Sequence, residues 1–230
     1  MITPSRGNDY RDGATAVAPL LVGIVPFGLA FGVAAGQSPI GGGLGYATSV
    51  IIFGGAAQLA AVQLFDAGAS AAVIIATALV INARHLMYSA ALAPHFREFS
   101  PGWRIALPYL MTDQAFAVSI THYEIVDDPA RKRRFFIGAG IGLWVTWQIT
   151  TGLGTVAGAS VPESWSLDFA IPLVFLALLV PTVKSRPGLT AAIVGGTVAV
   201  VGASLPYNLG LIIGALSGIA AGVVAEHVAR

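Results

Sequence analysis

TALVINARHLMYSAALAP, residues 77–94, closes a long apolar run that begins near Gly68. Asn82, Arg84 and His85 interrupt what is otherwise a membrane-spanning pattern. An amide, a permanent cation and an imidazole are each costly in hydrocarbon. They therefore call for a partner, a cavity or a substrate, and the remainder of the chain bears on which.

The solvent comes first. Of 230 residues, 56% are hydrophobic and 10% charged, against roughly 25% charged in an average soluble domain. Several apolar runs exceed the roughly 20 residues that cross about 30 Å of hydrocarbon. The expected fold is an all-α, polytopic membrane bundle forming a single transmembrane domain, residues 1–230. Eight spans are expected, at about 14–36, 44–64, 69–92, 104–122, 135–158, 167–183, 188–204 and 207–225. The count falls to seven if the second is re-entrant. That second span follows GQSPIGGGLG (36–45) and contains FGGAAQ (53–58), which marks a broken helix. Irregular backbone at membrane depth is tolerated only where protein or a wet cavity covers it.

Net charge is +1 and cysteine is absent, which excludes disulfides and thiolate chemistry. No nucleic-acid face is expected, because the basic residues sit in short loops. RKRR (131–134) reads as a topology anchor. With both termini cytoplasmic and all segments spanning, that side would hold Arg6, Arg11, Arg131, Lys132, Arg133, Arg134, Lys184, Arg186 and Arg230. Only Arg97 and Arg104 would face the opposite side. Gly28, Gly32 and Gly36, then Gly214, Gly218 and Gly222, repeat at four residues, and Gly138 and Gly142 form a shorter pair. Such ladders favour close helix packing. Pro26 and Pro172 should kink their helices. Kinked and glycine-rich helices at both ends of the chain hint at an inverted repeat.

The polar residues inside the spans are Gln58, Asn82, Arg84, His85, Asp113, Gln114 and Gln148. Counting at 1.5 Å per residue puts Arg84 and Asp113 roughly 13 Å below one surface, on sequential helices. An Arg84–Asp113 pair is therefore expected. It is either a bridge holding two helices or the lining of a solvated path, and the polar neighbours favour the path. Asn82, His85, Gln58, Gln148 and Trp144 join that candidate pathway, with Asp113 and His85 as candidate proton relays. Gln58 and Gln148 fall near the midplane, where each amide is either interhelical glue or cavity lining. No second histidine or carboxylate lies three or four residues from His85, so no metal site is expected.

FGGAAQLA (53–60), NARHLMYSAALAP (82–94) and LMTDQAFA (110–117), in that order and spacing, resemble the AzlC family. These are large subunits of branched-chain amino acid exporters, also called the azaleucine-resistance family. The resemblance covers the length and span arrangement of the chain. It departs at Gln114, where an acidic residue commonly follows the aspartate. The resemblance implies efflux of valine, leucine, isoleucine and methionine across a bacterial cytoplasmic membrane, with a small AzlD-type membrane subunit as partner. The chain has no Walker-type GxxxxGK[ST] sequence, so ion or proton coupling is expected in place of ATP hydrolysis, with no enzyme activity and no cofactor. Rival readings are a passive pore and a subunit whose partner carries the substrate site.

Overall fold

The structure, a computed structural model, describes residues 8–160, 183, 185–205 and 209–228. It is all-α among those residues and divides into two compact units, residues 1–171 and 172–230. The expected sixth span (167–183), with Pro172, lies outside the described residues apart from Val183, as do Arg6, Lys184 and Arg230.

The first unit opens with a helix running from Asp9 to Gln37, long and apolar enough to cross a membrane. It comprises α1 (Asp9–Val17), a 3-10 turn (Ala18–Leu20) and α2 (Leu21–Gln37). Asn8 caps it by accepting from the Arg11 N–H. Pro19 explains the tight turn, since proline lacks the N–H that the ladder needs. Beside this helix, and parallel to it, lies α9 (Pro129–Ser160). The parallel sense follows from the contacts: Asp9 meets Arg131 and Arg134, Gly28 meets Thr150, and Gly158 meets Val33. Glycine makes the approach possible. A Cβ on Gly32 would lie 2.2 Å from the Thr151 carbonyl, and one on Gly138 would lie 2.0 Å from the Tyr10 carbonyl. The first ladder and the Gly138–Gly142 pair thus do what their spacing implied.

Between these two helices the chain departs from a simple up-and-down pattern. α3 (Gly42–Ile51) and α4 (Gly55–Asp66) form a helical hairpin, not one crossing. Gly42 faces Thr155 and Ser49 bonds to Gln148, so α3 descends antiparallel to α9. Gly55 then lies against Trp147 and Phe27, while Asp66 accepts a hydrogen bond from Ser38 at the end of α2. α4 therefore climbs back to the side from which α3 came. The second expected span is re-entrant. Gly68, at φ 71°, turns the chain out of α4, a backbone that a side chain would strain.

α5 (Ala71–Asn82) and α6 (Arg84–Phe96) form the next full crossing, also long and apolar enough to span. α7 (Pro101–Ala106), a 3-10 turn (Leu107–Leu110) and α8 (Asp113–Tyr123) then make a second hairpin. Trp103 receives Arg133 on its face at 5.3 Å. Tyr109 reaches Trp144. His122 then returns to stack on Phe135. The chain thus rises to mid-depth and goes back. This corrects the expectation of a continuous helix over 104–122: Pro108 and the extended residues Met111 and Thr112 end the ladder before α8 begins.

Two hairpins entering from opposite sides also correct the charge assignment. Glu98 lies 3.9 Å from Lys132, and Trp103 lies under Arg133. Their neighbours Arg97 and Arg104 are therefore on the basic side, not across from it. The expected placement of these two arginines failed because it counted each hairpin as a crossing. Within residues 9–123 the arrangement is an inverted repeat, each copy one crossing helix followed by one re-entrant hairpin; the expected repeat between the two ends of the chain involves Pro172, outside the described residues.

Asp9 fastens the basic end. Its carboxylate, 8% exposed, accepts from Arg131 Nε at 2.9 Å and Arg134 Nε at 2.8 Å. Asp9→Asn strands two guanidinium groups that are only partly solvated. It should lower stability by about 1–3 kcal/mol, read as an earlier thermal unfolding in detergent.

In the second unit, α10 (Arg186–Val201) and α11 (Leu209–Val228) pack antiparallel. Cβ atoms on Gly214 and Gly218 would lie 2.7 Å from the Gly195 carbonyl and 2.8 Å from the Ala191 carbonyl, respectively. The second glycine ladder is the contact.

Candidate functional site

The tips of the two hairpins meet at mid-depth. At the first tip, residues 52–54 leave the helical ladder, and Phe53 adopts φ 45°. A non-glycine residue in that region costs of order 1–2 kcal/mol. Glycine on its C-terminal side gives the turn room. Stopping α3 frees the carbonyls of Ser49 and Val50, which a continuing helix would pair with the N–H groups of Phe53 and Gly54. Other elements satisfy them. Gln148 Nε2 donates to the Ser49 carbonyl at 3.0 Å, and the Tyr109 hydroxyl donates to that of Val50. Trp144 Nε1 in turn donates to the Tyr109 oxygen at 2.8 Å.

Gln58 holds the tip from inside. Its Oε1 accepts from the Gly54 N–H at 3.1 Å, and its Nε2 donates to Thr48 at 2.8 Å and to Ser49 at 3.1 Å. The side chain is 1% exposed. Gln58 is thus glue across the hairpin break. Gln58→Leu should cost about 2–4 kcal/mol, since it leaves a buried amide and two hydroxyls short of partners. Circular-dichroism melting of the detergent-solubilised protein would register it.

The quoted stretch carries its own break. Leu86 bonds to the Ala83 carbonyl at 3.0 Å, a tightened turn that takes the Asn82 carbonyl out of the ladder. His85 Nδ1 then lies 3.1 Å from that oxygen. A carbonyl only accepts, so Nδ1 carries the proton and Nε2 alone is left for other chemistry. The His85 ring meets Tyr88 edge-on, and Tyr88 stacks on Phe116 at 4.6 Å. α6 and α8 run parallel through these contacts.

Arg84 and Asp113 come together at 3.9 Å, Nη1 to Oδ2, with side chains 35% and 43% exposed. Asp113 begins α8, where the helix dipole attracts negative charge, and Thr112 caps that helix by accepting from the Ala115 N–H. The depth count from residue 104 assumed an unbroken helix. Asp113 reaches mid-depth because it opens the returning arm of a hairpin. Asn82 faces the other tip, its amide about 3.3 Å from where a Cβ on Gly54 would sit.

Sequence reasoning missed Tyr109, Thr48, Ser49 and the location of Trp147. Pro108 beside Tyr109 was the available signal of a break. Gln114 makes no described contact that joins it to the pair. Among the described residues, Asn82 Oδ1, Arg84 Nε, Gln148 Oε1 and Trp147 Nε1 are buried without a hydrogen-bond partner. Buried polar atoms are rarely left so. These four surround the hairpin tips, two of them acceptors and two donors.

A separate cavity of about 310 Å³ lies at the basic end, between α1, α8 and α9. Neither Arg84 nor Asp113 is among the residues that line it.

Comparison with known proteins places the chain in a family. A family model described as AzlC protein matches residues 19–161. An uncharacterized membrane protein of Archaeoglobus fulgidus is 30% identical over 226 residues, covering 93% of this chain and 94% of its own length. The inner membrane protein YgaZ of Escherichia coli is 25% identical over 224 residues, covering 91% of this chain and 89% of its own. A Helicobacter pylori membrane protein is 24% identical over 196 residues, covering 84% and 83%. No solved structure matches the chain.

Proposed function

The chain belongs to the AzlC family, and from that premise we propose that it is a secondary transporter exporting branched-chain amino acids. It works in the bacterial inner membrane, with a small AzlD-type subunit and proton or ion coupling. The basic end faces the cytoplasm under the positive-inside rule, which puts the N-terminus there. His85 Nε2 and Asp113 are the candidate proton carriers.

One observation supports the substrate class. The unpartnered buried atoms at the tips divide as a zwitterion requires. Asn82 Oδ1 and Gln148 Oε1, with the Asp113 carboxylate, are acceptors for an ammonium. Arg84 and Trp147 Nε1 are donors for a carboxylate, with the N-terminus of α4 beside them. Phe53, Trp144 and the aliphatic walls take the side chain. At 3.9 Å the Arg84–Asp113 pair is loose, so an amino acid inserting between them would exchange one ion pair for two. The hydrogen bond from Tyr109 to Val50 closes one tip on the other, which favours a gated carrier over an open pore.

The experiment loads cells with a leucine-containing dipeptide, with and without the gene and its partner subunit, and follows external leucine. Faster appearance in the expressing strain is expected. Equal appearance removes the exporter assignment.

A further inference from the structure

Lys132, in the first turn of α9, is 5% exposed. A lysine is buried so deeply only where partners replace the water it gives up. Its Nζ lies 3.3 Å from His95 Nδ1 near the end of α6, and 3.9 Å from Glu98 Oε2 in the loop that follows. It also lies 5.7 Å from the centre of the Tyr123 ring at the end of α8. Tyr123 completes the group. Its hydroxyl donates to the Lys132 carbonyl at 3.1 Å, and its ring meets His95 edge-on at 5.0 Å. One ammonium thus joins the basic ends of α6 and α8 to the start of α9.

An ammonium has only protons to give. The His95 nitrogen that faces it is therefore bare, and the imidazole neutral. A proton arriving at Nδ1 replaces that hydrogen bond with two cations 3.3 Å apart. Lys132 has no room to retreat, because Tyr123 covers its side chain and holds its carbonyl. The charged groups acting on the His95 ring are Lys132 and Glu98. Glu98, its side chain 44% exposed, answers one cation and not two. Tyr123 brings no charge near neutral pH. We propose that Lys132 and His95 form an acid-released clasp. Closed while His95 is neutral, it holds the base of the second hairpin against α9, and protonation of His95 opens that seam to the compartment at the basic face. Imidazole changes its charge between about pH 5 and 8, which sets the working range. The inference stands on the packing of α6, α8 and α9 and needs nothing from the transport reading. For an exporter it makes internal acidification the signal that opens the loading side.

The chain has no cysteine, so one introduced thiol reports on the seam alone. Ser119→Cys puts it at a fully buried position on α8, one turn before Tyr123. Its labelling by N-ethylmaleimide is measured in the full chain in lipid nanodiscs. At each pH the rate is divided by that of Ser100→Cys, an exposed position, which removes the thiol's own pH dependence. The ratio is expected to rise at least about tenfold between about pH 7.5 and about pH 5.5. Adding His95→Asn, which keeps an acceptor but takes no proton, should hold the ratio low at both. Adding Lys132→Met should flatten the response as well, since no second cation is present. Thr151→Cys, fully buried farther along α9, should stay protected throughout. A ratio that is constant with pH in the parent overturns the proposal. So does a rise that survives in folded His95→Asn or Lys132→Met, or equal exposure of Thr151→Cys, which marks unfolding of the whole unit.

Discussion

Arg84→Gln and Asp113→Asn are each expected to reduce export by roughly thirty- to hundred-fold while the protein still folds. The magnitudes separate the two effects. Both side chains are more than one-third exposed and meet at 3.9 Å, so their mutual attraction holds little of the fold together; comparable pairs contribute about 0–1 kcal/mol. A substrate charge bonded directly to either group would gain about 2–3 kcal/mol, which is that loss in binding. The double variant should lose more than either single one, because each group holds a different charge of the bound zwitterion. Dipeptide-fed export and a melting curve on the same preparations check both halves. Normal efflux from either folded single variant would refute the site.

The second large effect concerns assembly. Gly32→Leu should prevent accumulation of folded protein. A Cβ at that position would lie 2.2 Å from the Thr151 carbonyl and 2.8 Å from the Gly154 Cα, both backbone atoms that cannot swing aside. The helix 9–37 and α9 would have to separate along their shared length, and in lipid no hydrophobic drive brings them back. A cost above about 3 kcal/mol is expected, at the upper end for overpacking. Gly196→Ala is the control. Nothing lies within 4 Å of a Cβ there, and helix propensity favours alanine by about 1 kcal/mol. Size-exclusion profiles of the two variants should diverge sharply.

The membrane class, the broken second segment, the glycine contacts and the Arg84–Asp113 pair were all legible in the sequence. Each rests on a local property: hydropathy, spacing, or the cost of burying a charge. The direction of the crossings was not legible. An apolar segment of twenty residues looks alike whether it traverses the bilayer or folds back at mid-depth, and Arg97 and Arg104 were misplaced on that account. Tyr109 escaped notice for a related reason. Its value lies in the Val50 carbonyl, which is unpaired only because a helix on a different segment stops. Ser49 and Gln148 tell the same story: the polar group and the need it fills lie 99 residues apart.

A segment made of one crossing and one hairpin passes through the bilayer an odd number of times. A tandem duplicate of it must insert upside down, whatever the details of its sequence. In a carrier built on such a pair, as proposed for this chain, facing outward and facing inward are related shapes with the two copies trading roles, which brings the energies of the two states closer together. A modest binding energy is enough to tip such a balance.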